Sequence, residues 1–258
     1  MKVLLLGSNG FIGKALGTKL EVQYDLVKVN RETDLENLFK SDQIFDFIIN
    51  CASSSSNADS EESHASNFLY PMKFFNNLRA MHWVQIESYF QLQITWGRND
   101  SYTIEKEKFS KYLDAGMKSR SAPLIHHLYL PHIFGEGDRP ERLISSVISS
   151  FKGGRDFLTS SGKQFLPLLH ISDAVAGIIR FIESPTSHAT CRPFWYGSVR
   201  ELLDLISSQF SDPRVQYGLR SDPVDSGFPR VEFPQCVNGW QPKMQLNEFL
   251  NWVGVQHG

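Results

Sequence analysis

The hydrophobic residues of this chain recur at two spacings, one typical of buried strands and one typical of helices. Val3–Leu6 is apolar without interruption and ends at Gly7, which predicts a strand buried on both faces of a parallel sheet. Around Gly13 the apolar residues recur every three or four positions, and this spacing predicts a helix. The helical positions are Ile12, Ala15, Leu16 and Leu20.

The same alternation continues to about residue 134. Further strands are predicted at YDLVKVN, FDFIINCAS, HWVQIES and PLIHHLYLPHIFG, and helices at LENLF and YTIEKEKFSKYLDAGM. Strands that alternate with helices form βαβ units, so the pattern predicts an α/β fold with a Rossmann-type, doubly wound parallel sheet. Sheets of this kind bind ligands beyond the carboxyl ends of their strands.

Beyond Gly135 the pattern is less regular, and we expect a smaller second lobe. Helices are predicted at ERLISSVISSF, VRELLDLISSQF and LNEFLNWV, and a strand followed by a helix at FLPLLHISDAVAGIIRFIE. Prolines and polar residues between Ser211 and Pro242 predict loops and short strands. We therefore expect a Rossmann domain over residues 1–135, completed by about 163–184, and a substrate-binding lobe from 136–162 and 185–258.

Composition narrows the classes of function. The 258 residues carry a formal net charge of −2, so the basic footprint of a nucleic-acid-binding protein is absent. The three cysteines are too scattered for a disulfide framework or a zinc site, and we expect no bound metal. The first apolar run is too short for a secretory signal, and no segment approaches the ~18 apolar residues of a membrane span. We expect a cytoplasmic protein that binds a small molecule.

The glycines after the first strand have the context of a phosphate-binding turn. A strand precedes them and a helix follows at once, which aims backbone N–H groups and the positive helix end at an anion. Gly7 suits the tight turn, Gly10 the approach of a diphosphate, and Gly13 the close packing of helix on strand, although the spacing is G-x-x-G-x-x-G. The expected cofactor-binding residues here are Gly7, Asn9, Gly10, Phe11, Ile12 and Gly13. The alternative is a turn without a ligand.

The end of the second predicted strand bears on which dinucleotide binds. An acidic residue there favours NAD, because it accepts from the ribose 2′-hydroxyl, whereas an arginine accommodates the 2′-phosphate of NADP. This chain has Asn30 and Arg31, with Glu32 as the nearest carboxylate. We predict NADP, held by Arg31. NAD stays an alternative, in which Arg31 is an ordinary surface charge.

A tyrosine, a lysine and a serine form the candidate catalytic group. Tyr102 and Lys106 share one face of a predicted helix, and an ammonium group near a phenol favours the phenolate. Ser88 ends the strand before that helix, where its hydroxyl can hydrogen-bond a substrate carbonyl while Tyr102 protonates it. Tyr24 and Lys28 have the same spacing, but they fall where a strand is expected and share no helical face.

These features together resemble the extended short-chain dehydrogenase/reductase family, of the NAD(P)-dependent sugar-nucleotide epimerase/dehydratase type. The motifs that carry the resemblance are GSNGFIG after the first strand, NCAS at residues 50–53, Asn67, Ser88, Tyr102 with Lys106, LPHIFGEGD, LLHISDAVAGI and GWQP. The resemblance covers nearly the whole chain, and the order of the motifs is more specific than any one of them.

The resemblance implies roles for individual residues. Tyr102 is the implied acid or base, Lys106 supports it and holds the nicotinamide ribose, and Ser88 positions the reacting oxygen. Further implied cofactor residues are Asp34 and Leu35 at the adenine, Cys51, Ala52 and Ser53 along the cofactor, Asn67 in support of the catalytic helix, and Pro131 at the nicotinamide. The implied substrate residues are Ser88 and His132. The family often has an arginine that grips the substrate diphosphate where this chain has Leu166–Pro167, and the candidates to replace it are Arg139, Arg142 and Arg155.

Departures from the family pattern select among its reactions. Dehydratases of the family carry Thr-Asp-Glu where this chain has Ser88, Tyr89 and Phe90, so the acid pair that removes a hydroxyl is missing. The short chain resembles the small 4-ketoreductases that complete deoxysugars, such as CDP-abequose and CDP-paratose synthases. We therefore predict an NAD(P)H-dependent oxidoreductase that reduces a nucleotide-linked 4-keto-6-deoxysugar.

Two other functions stay open at this point. One is a sugar-nucleotide 4-epimerase that holds NAD tightly and uses the same three side chains. The other is a non-catalytic protein that binds NADP as a sensor. The family resemblance also implies a homodimer built on the catalytic helices. For His170, which precedes a predicted helix start, capping is a better interpretation than catalysis.

Overall fold

A computed structural model describes residues 1–30, 32–54, 60–116 and 122–255. The strands are β1 (Lys2–Leu6), β2 (Asp25–Val29), β3 (Ile44–Asn50), β4 (Arg79–Ser88), β5 (Leu124–Leu130), β6 (His132–Phe134), β7 (Phe157–Leu158), β8 (Phe165–His170), β9 (His188–Thr190), β10 (Trp195–Ser198) and β11 (Val215–Gln216). The helices are α1 (Phe11–Leu20), α2 (Leu35–Lys40), α3 (Ser60–His64), α4 (Tyr70–Asn77), α5 (Ser101–Gly116), α6 (Leu143–Lys152), α7 (Ile171–Glu183), α8 (Val199–Ser207) and α9 (Leu246–Val255). A π-helical turn covers Ala65–Leu69, and 3-10 segments cover Tyr89–Trp96 and Val224–Gly227.

The first structural unit is built on a parallel sheet. It comprises residues 1–130, 175–191 and 233–240, and its six strands lie in the order β2-β1-β3-β4-β5-β9. Each neighbouring pair is parallel. Because parallel strands need crossover connections, helices separate most of these strands along the chain. The predicted doubly wound, Rossmann-type α/β fold is confirmed.

The centre of the first unit is an apolar core between the sheet and its helices. Val3–Leu6 in β1 is fully buried, as its uninterrupted apolar pattern predicts. Trp83 of β4 and Phe109 of α5 are also fully buried, and their ring centroids lie 6.0 Å apart in an edge-on contact. This packing fixes α5, which carries Tyr102 and Lys106, against the sheet.

The strand order creates one place where a ligand can approach the sheet edge. From β1 the chain moves outward to β2 and then returns to the other side of β1 with β3, so the direction of winding reverses between β1 and β3. In open parallel sheets the crevice beyond the carboxyl ends of such strands is the usual ligand site. Gly7 follows β1 and Cys51 follows β3, and both therefore lie at this crevice.

The second structural unit comprises residues 131–174, 192–232 and 241–258. Its larger sheet has the order β10-β8-β6, with β6 parallel and β10 antiparallel to β8. A parallel pair, β7 with β11, forms a second small sheet. The expected lobe boundary at residue 135 falls later than this division, and β8, expected to complete the first domain, pairs inside the second unit.

One sequence prediction is wrong in detail. PLIHHLYLPHIFG was expected to form a single strand, but it forms two, β5 in the first unit and β6 in the second. Pro131 lies between them and has no N–H to donate to a neighbouring strand, so the ladder ends there. The remaining predicted helices and the β8–α7 pair are present, and no helix among the described residues has the length and apolar content to cross a bilayer.

His170 has the capping role expected from the sequence. Its Nδ1 lies 2.8 Å from Ser172 Oγ and 3.4 Å from the Ser172 backbone N–H at the start of α7. The next acidic residue, Asp173, accepts hydrogen bonds from the N–H groups of Lys243 and Met244. Both side chains therefore stabilise the start of this helix and its contact with the C-terminal segment.

Truncation of Phe109 tests the attachment of α5. Phe109→Ala removes a fully buried ring and should lower the free energy of unfolding by about 3–5 kcal/mol, because the cavity cannot close completely. Urea unfolding followed by circular dichroism measures this change. Lys111→Ala, on the exposed side of the same helix, should stay within about 0.5 kcal/mol of the wild type. Equal effects of the two variants would contradict the packing described here.

Candidate active site

The turn after β1 is held by backbone contacts. The N–H groups of Gly7 and Ser8 both donate to Val29 O, at 3.1 and 3.2 Å, which fastens the turn to the end of β2. Gly7 has a φ of +76°, and a Cβ on it would lie 2.6 Å from backbone atoms of Ala52. Only glycine meets both requirements, the left-handed conformation and the close approach to the segment after β3.

The start of α1 presses against this turn. A Cβ on Gly13 would lie 2.1 Å from Gly7 O, and one on Gly10 would lie 3.2 Å from the same atom. Gly10 is the N-cap residue and brings no side chain to the first N–H groups of the helix. These N–H groups have no partner within the helix, so they face outward together with the positive end of the helix dipole. The arrangement is that of an anion site made of main chain.

A cleft of about 840 Å³ opens at the switch point between β1 and β3. Of the residues predicted to bind a cofactor, those that line it are Gly7, Asn9, Gly10, Cys51, Ala52 and Ser53. The lining residues not foreseen from the sequence are Asn30, Glu32, Ser54, Ala65, Ser66, Leu69, Tyr70, Met72 and Lys73. Most of the second group belongs to the π-helical turn and α4, whose approach to the glycine turn no sequence pattern indicates.

Other predicted cofactor residues act beside the cleft. Phe11, Ile12 and Gly13 form the first turn of α1. Asn67 is buried, and its amide both accepts from Ser54 N and donates to Ser54 O, at 3.0 and 2.9 Å, which fixes the loop after β3.

Three predicted cofactor residues precede or begin α2, and the structure describes two of them. Asp34 caps α2 through the N–H groups of Glu36 and Asn37, while Leu35 packs against the apolar core. Arg31, the predicted partner of the NADP 2′-phosphate, lies outside the described residues. The adjacent Glu32 donates its N–H to Asn30 Oδ1 at 2.7 Å and lines the cleft. The adenine and phosphate assignments stay predictions.

The helix that carries the candidate acid starts at a well-defined cap. Asp100 precedes α5, and its Oδ1 accepts from the N–H and the hydroxyl of Thr103, at 3.0 and 2.9 Å. Arg98 is buried and donates to Asp100 Oδ2 at 2.6 Å, which orients the capping carboxylate. Tyr102 therefore lies in the first turn of α5, with Lys106 one turn later on the same face.

Lys106 and Tyr102 contact residues that flank Ser88 along the chain. Lys106 Nζ donates at 2.7 Å to the carbonyl of Ile86, two residues before Ser88. Phe90, two residues after Ser88, packs edge-on against the Tyr102 ring at 6.5 Å between centroids. Lys106 Nζ lies 6.0 Å from the centre of the Tyr102 ring. The three predicted catalytic residues thus belong to one local arrangement at the end of β4.

The Ser88 hydroxyl is oriented by its own turn. Its Oγ accepts from Phe90 N–H at 3.3 Å, and the Ser88 N–H donates to Gln91 Oε1 at 2.9 Å. These two bonds form a capping box for the 3-10 segment that follows β4. Since Oγ accepts the local bond, the hydroxyl proton can be donated to a ligand.

The cleft reaches towards the catalytic pair. Burial raises the pKa of the Cys51 thiol to about 12, and the Lys106 ammonium acts in the opposite direction. Cys51 lines the cleft, so Lys106 is within electrostatic range of its wall. A thiol with a raised pKa stays protonated at neutral pH, and Cys51 is not a nucleophile.

Glu87 is a buried acid that the sequence analysis did not single out. It precedes Ser88 and its side chain is fully buried, with His127 at 2.8 Å and Ser110 at 2.5 Å from Oε1. Burial acts to raise the pKa of this carboxyl group, but the hydrogen bond from His127 and the charge of Lys106 lower it overall. The available signal was a carboxylate inside the predicted strand HWVQIES.

The predicted substrate residues belong to the second unit. His132 lies 3.5 Å from the Arg142 guanidinium, and burial together with that positive charge lowers the pKa of His132 to about 3. Arg142 also pairs with Asp138 at 3.5 Å, whereas Arg139 is exposed and pairs with Glu141. Pro131 is buried at the start of this unit. The roles of these residues in substrate binding stay predictions.

Among the described residues, no cluster of histidine, cysteine or acidic side chains suits a metal ion.

Comparison with known proteins decides the family. Residues 3–194 match the model of the NAD dependent epimerase/dehydratase family. The chain belongs to this family. The match confirms the resemblance found in the sequence, and with it an NAD(P)-dependent enzyme of the short-chain dehydrogenase/reductase type.

Relatives match this family member over almost its full length. A curated relative is CDP-abequose synthase of Salmonella muenchen, 19% identical over 96% of this chain and 94% of the relative. Among solved structures, RMD from Pseudomonas aeruginosa complexed with NADPH is 14% identical with a TM-score of 0.79, over 99% of this chain and 98% of that one. UDP-glucuronic acid 4-epimerase from Bacillus cereus, in complex with UDP-glucuronic acid and NAD, is 15% identical with a TM-score of 0.78, over 100% and 99% of the two chains.

The close approach at Gly13 leads to a binding prediction. Gly13→Ala places a methyl group against Gly7 O, so α1 must move away from the turn and its N–H groups lose their positions. We expect the affinity for NADPH to fall at least about tenfold, measured by calorimetric titration. Gly17→Ala on the same helix is the control, since its methyl group meets the flexible end of Lys28. Retained affinity in Gly13→Ala would contradict the main-chain anion site.

Proposed function

We propose that this enzyme is an NAD(P)H-dependent reductase of a nucleotide-linked 4-keto-6-deoxysugar. The observation that carries the proposal is the full-length similarity to CDP-abequose synthase, combined with the residues that follow Ser88. The family itself supports a broader statement of the activity. It is an NAD-dependent reaction on a sugar nucleotide, of the epimerase, dehydratase or reductase type. The choice of reduction within that type is the proposed step.

The cleft of the first unit fits a dinucleotide. Main-chain N–H groups at the start of α1 suit the diphosphate, and the N-cap residue Gly10 has no side chain to cover them. Cys51, Ala52 and Ser53 form the opposite wall. When bound, the nicotinamide cofactor supplies the hydride of the reaction. NADP is the proposed preference because Asn30 and Arg31 are the first residues after β2 in the sequence and the nearest carboxylate is Glu32, and because Lys73 adds a cation to the cleft.

The side chains at the end of β4 supply the proton and the orientation. Tyr102 donates its phenolic proton to the oxygen of the keto group as that oxygen gains negative charge. Ser88 donates a hydrogen bond to the same oxygen, which holds the carbonyl against Tyr102. The Lys106 ammonium stabilises the phenolate that Tyr102 becomes, because opposite charges at this range attract. Together these three groups stabilise charge that develops only during the reaction.

The residues after Ser88 support reduction over dehydration. Tyr89 is buried, and Phe90 lies under the Arg98 guanidinium with 3.5 Å from the guanidinium carbon to the ring centre. Phe90 has no ionisable group and Tyr89 has no carboxylate, so the two residues do not replace an Asp-Glu pair. Dehydration of a sugar would need such a pair close to the acid.

Removal of the Tyr102 hydroxyl tests the function. We expect Tyr102→Phe to lower kcat for a nucleotide 4-keto-6-deoxysugar by at least about a hundredfold, since general acid catalysis contributes this much or more, while NADPH still binds. NADPH oxidation at 340 nm measures the rate, and calorimetry measures binding. Tyr112→Phe on the same helix is the control, because its hydroxyl bonds Asn76.

The outcomes separate the three functions. Loss of turnover with retained binding supports the reductase. Turnover in Tyr102→Phe within tenfold of the wild type would rule out the assigned acid. A wild-type enzyme that retains nicotinamide through purification and interconverts 4-hydroxyl epimers without net NADPH oxidation would be an epimerase. No turnover of any keto sugar, with tight NADPH binding, would favour a sensor.

A further inference from the structure

Glu87 is a buried residue that precedes Ser88 in the chain, and its carboxylate lies close to the Lys106 ammonium. Its side chain has no exposed surface, and it lies between Ile86, whose carbonyl accepts from Lys106, and Ser88. An ionised carboxylate is costly to bury unless it is paired and hydrogen-bonded. The identity of its partners therefore indicates what the residue is for.

One oxygen of Glu87 connects to solvent through a histidine. Oε1 accepts from Ser110 Oγ at 2.5 Å and faces His127 Nδ1 at 2.8 Å. The other ring nitrogen of His127 lies 3.2 Å from Asp114, whose side chain is half exposed. Burial acts to lower the pKa of His127, but Glu87 and Asp114 outweigh this effect and raise it.

The second oxygen faces the catalytic lysine. Oε2 is buried without a hydrogen-bond partner among the described residues, and the Lys106 ammonium lies 3.9 Å away. Lys106 is also buried, 4% exposed, and donates to the Ile86 carbonyl. The ammonium is therefore close to both the neutral Ile86 carbonyl and the charged Glu87 carboxylate. Little water is present to screen its attraction to Glu87.

Other titratable groups lie near this cluster and belong to several elements. They are His188, stacked on His127 at 4.9 Å between ring centroids, His126 and Tyr129 on β5, Glu107 on α5, and Cys51 after β3. Within the described part of the chain, Glu87 is the carboxylate paired with the Lys106 ammonium.

We propose that Glu87 is a positioning residue of this enzyme, whose buried carboxylate holds the Lys106 ammonium and through it sets the pH at which Tyr102 loses its proton. The proposal rests on the roles given to Tyr102 and Lys106 in the proposed function. It adds a residue that contacts neither substrate nor cofactor and acts through Lys106. The negative charge of Glu87 offsets part of the positive charge with which Lys106 acts on Tyr102, and thereby opposes the loss of the Tyr102 proton.

The sign of the effect follows from charge alone. Glu87→Gln removes a negative charge and keeps the shape of the side chain, so the full charge of Lys106 acts on Tyr102, which should lose its proton at lower pH. Reduction needs Tyr102 protonated, and the alkaline limb of the kcat profile should therefore move down by about one pH unit. Glu87→Asp retains the charge and should keep the limb close to its wild-type position.

A titration without substrate measures the same quantity. Phenolate absorbs near 295 nm, and the difference between the wild type and Tyr102→Phe isolates the Tyr102 transition. The same difference taken in a Glu87→Gln background should have a midpoint about one pH unit lower. Glu105→Gln is the matched control. Glu105 is buried on the same helix beside Lys106, but its carboxylate binds His64 and Lys108.

The controls define what would overturn the proposal. A midpoint in Glu87→Gln equal to the wild type, or a shift of equal size in Glu105→Gln, would show that Glu87 has no specific influence on Tyr102. A shift in Glu87→Asp as large as in Glu87→Gln would show that packing and not charge is responsible. If no keto sugar is turned over, the proposed function fails, while the spectroscopic midpoint still decides the role of Glu87.

If Glu87→Gln does not fold, the pairing can be tested from the other side, by measuring the pKa of Glu87 in a variant of Lys106. Lys106→Met replaces the ammonium by an apolar chain of similar length. Because the Lys106 charge helps to lower the pKa of Glu87, its loss should raise that pKa by about one unit. Titration of ¹³C-labelled glutamate carboxyl groups by NMR, with the Glu87 signal assigned from Glu87→Asp, measures the change. An unchanged pKa would contradict the pairing.

Discussion

The feature on which the rest of the site depends is the contact of main chain with main chain at the carboxyl ends of β1 and β3. Gly7 lies against the backbone of Ala52, and Gly13 lies against the carbonyl of Gly7. No side chain separates these segments, so the N–H groups at the start of α1 are exposed at the switch point of the sheet. The cleft, its polarity and its position relative to α5 all follow from this approach.

The sequence predicts well those features that arise from local patterns. The buried run of β1, the glycine spacing and the Tyr102–Lys106 face are properties of neighbouring residues, and the structure has them. Pro131 was visible in the sequence, but the continuous apolar pattern around it favoured one strand, whereas the missing N–H of proline ends β5 at Leu130.

The remaining features depend on contacts between distant parts of the chain. Glu87 meets Ser110 and His127, which lie 23 and 40 residues away along the chain, and a single sequence does not indicate such pairs. The π-helical turn Ala65–Leu69 lines the cleft for the same reason, because its position depends on Asn67 holding the loop after β3. Polar side chains at these places carry no periodic signal. Their function becomes visible only when the partners are known.

In the proposed complex this main-chain cradle holds a dinucleotide with its nicotinamide end beside Tyr102 and Lys106. A crystal structure of the enzyme with NADPH tests it most directly. We expect the diphosphate within hydrogen-bond distance of the N–H groups that follow Gly10, and the nicotinamide ring in contact with the Tyr102 side of the cleft. A dinucleotide bound elsewhere, with a side chain covering the N–H groups that follow Gly10, would contradict this arrangement.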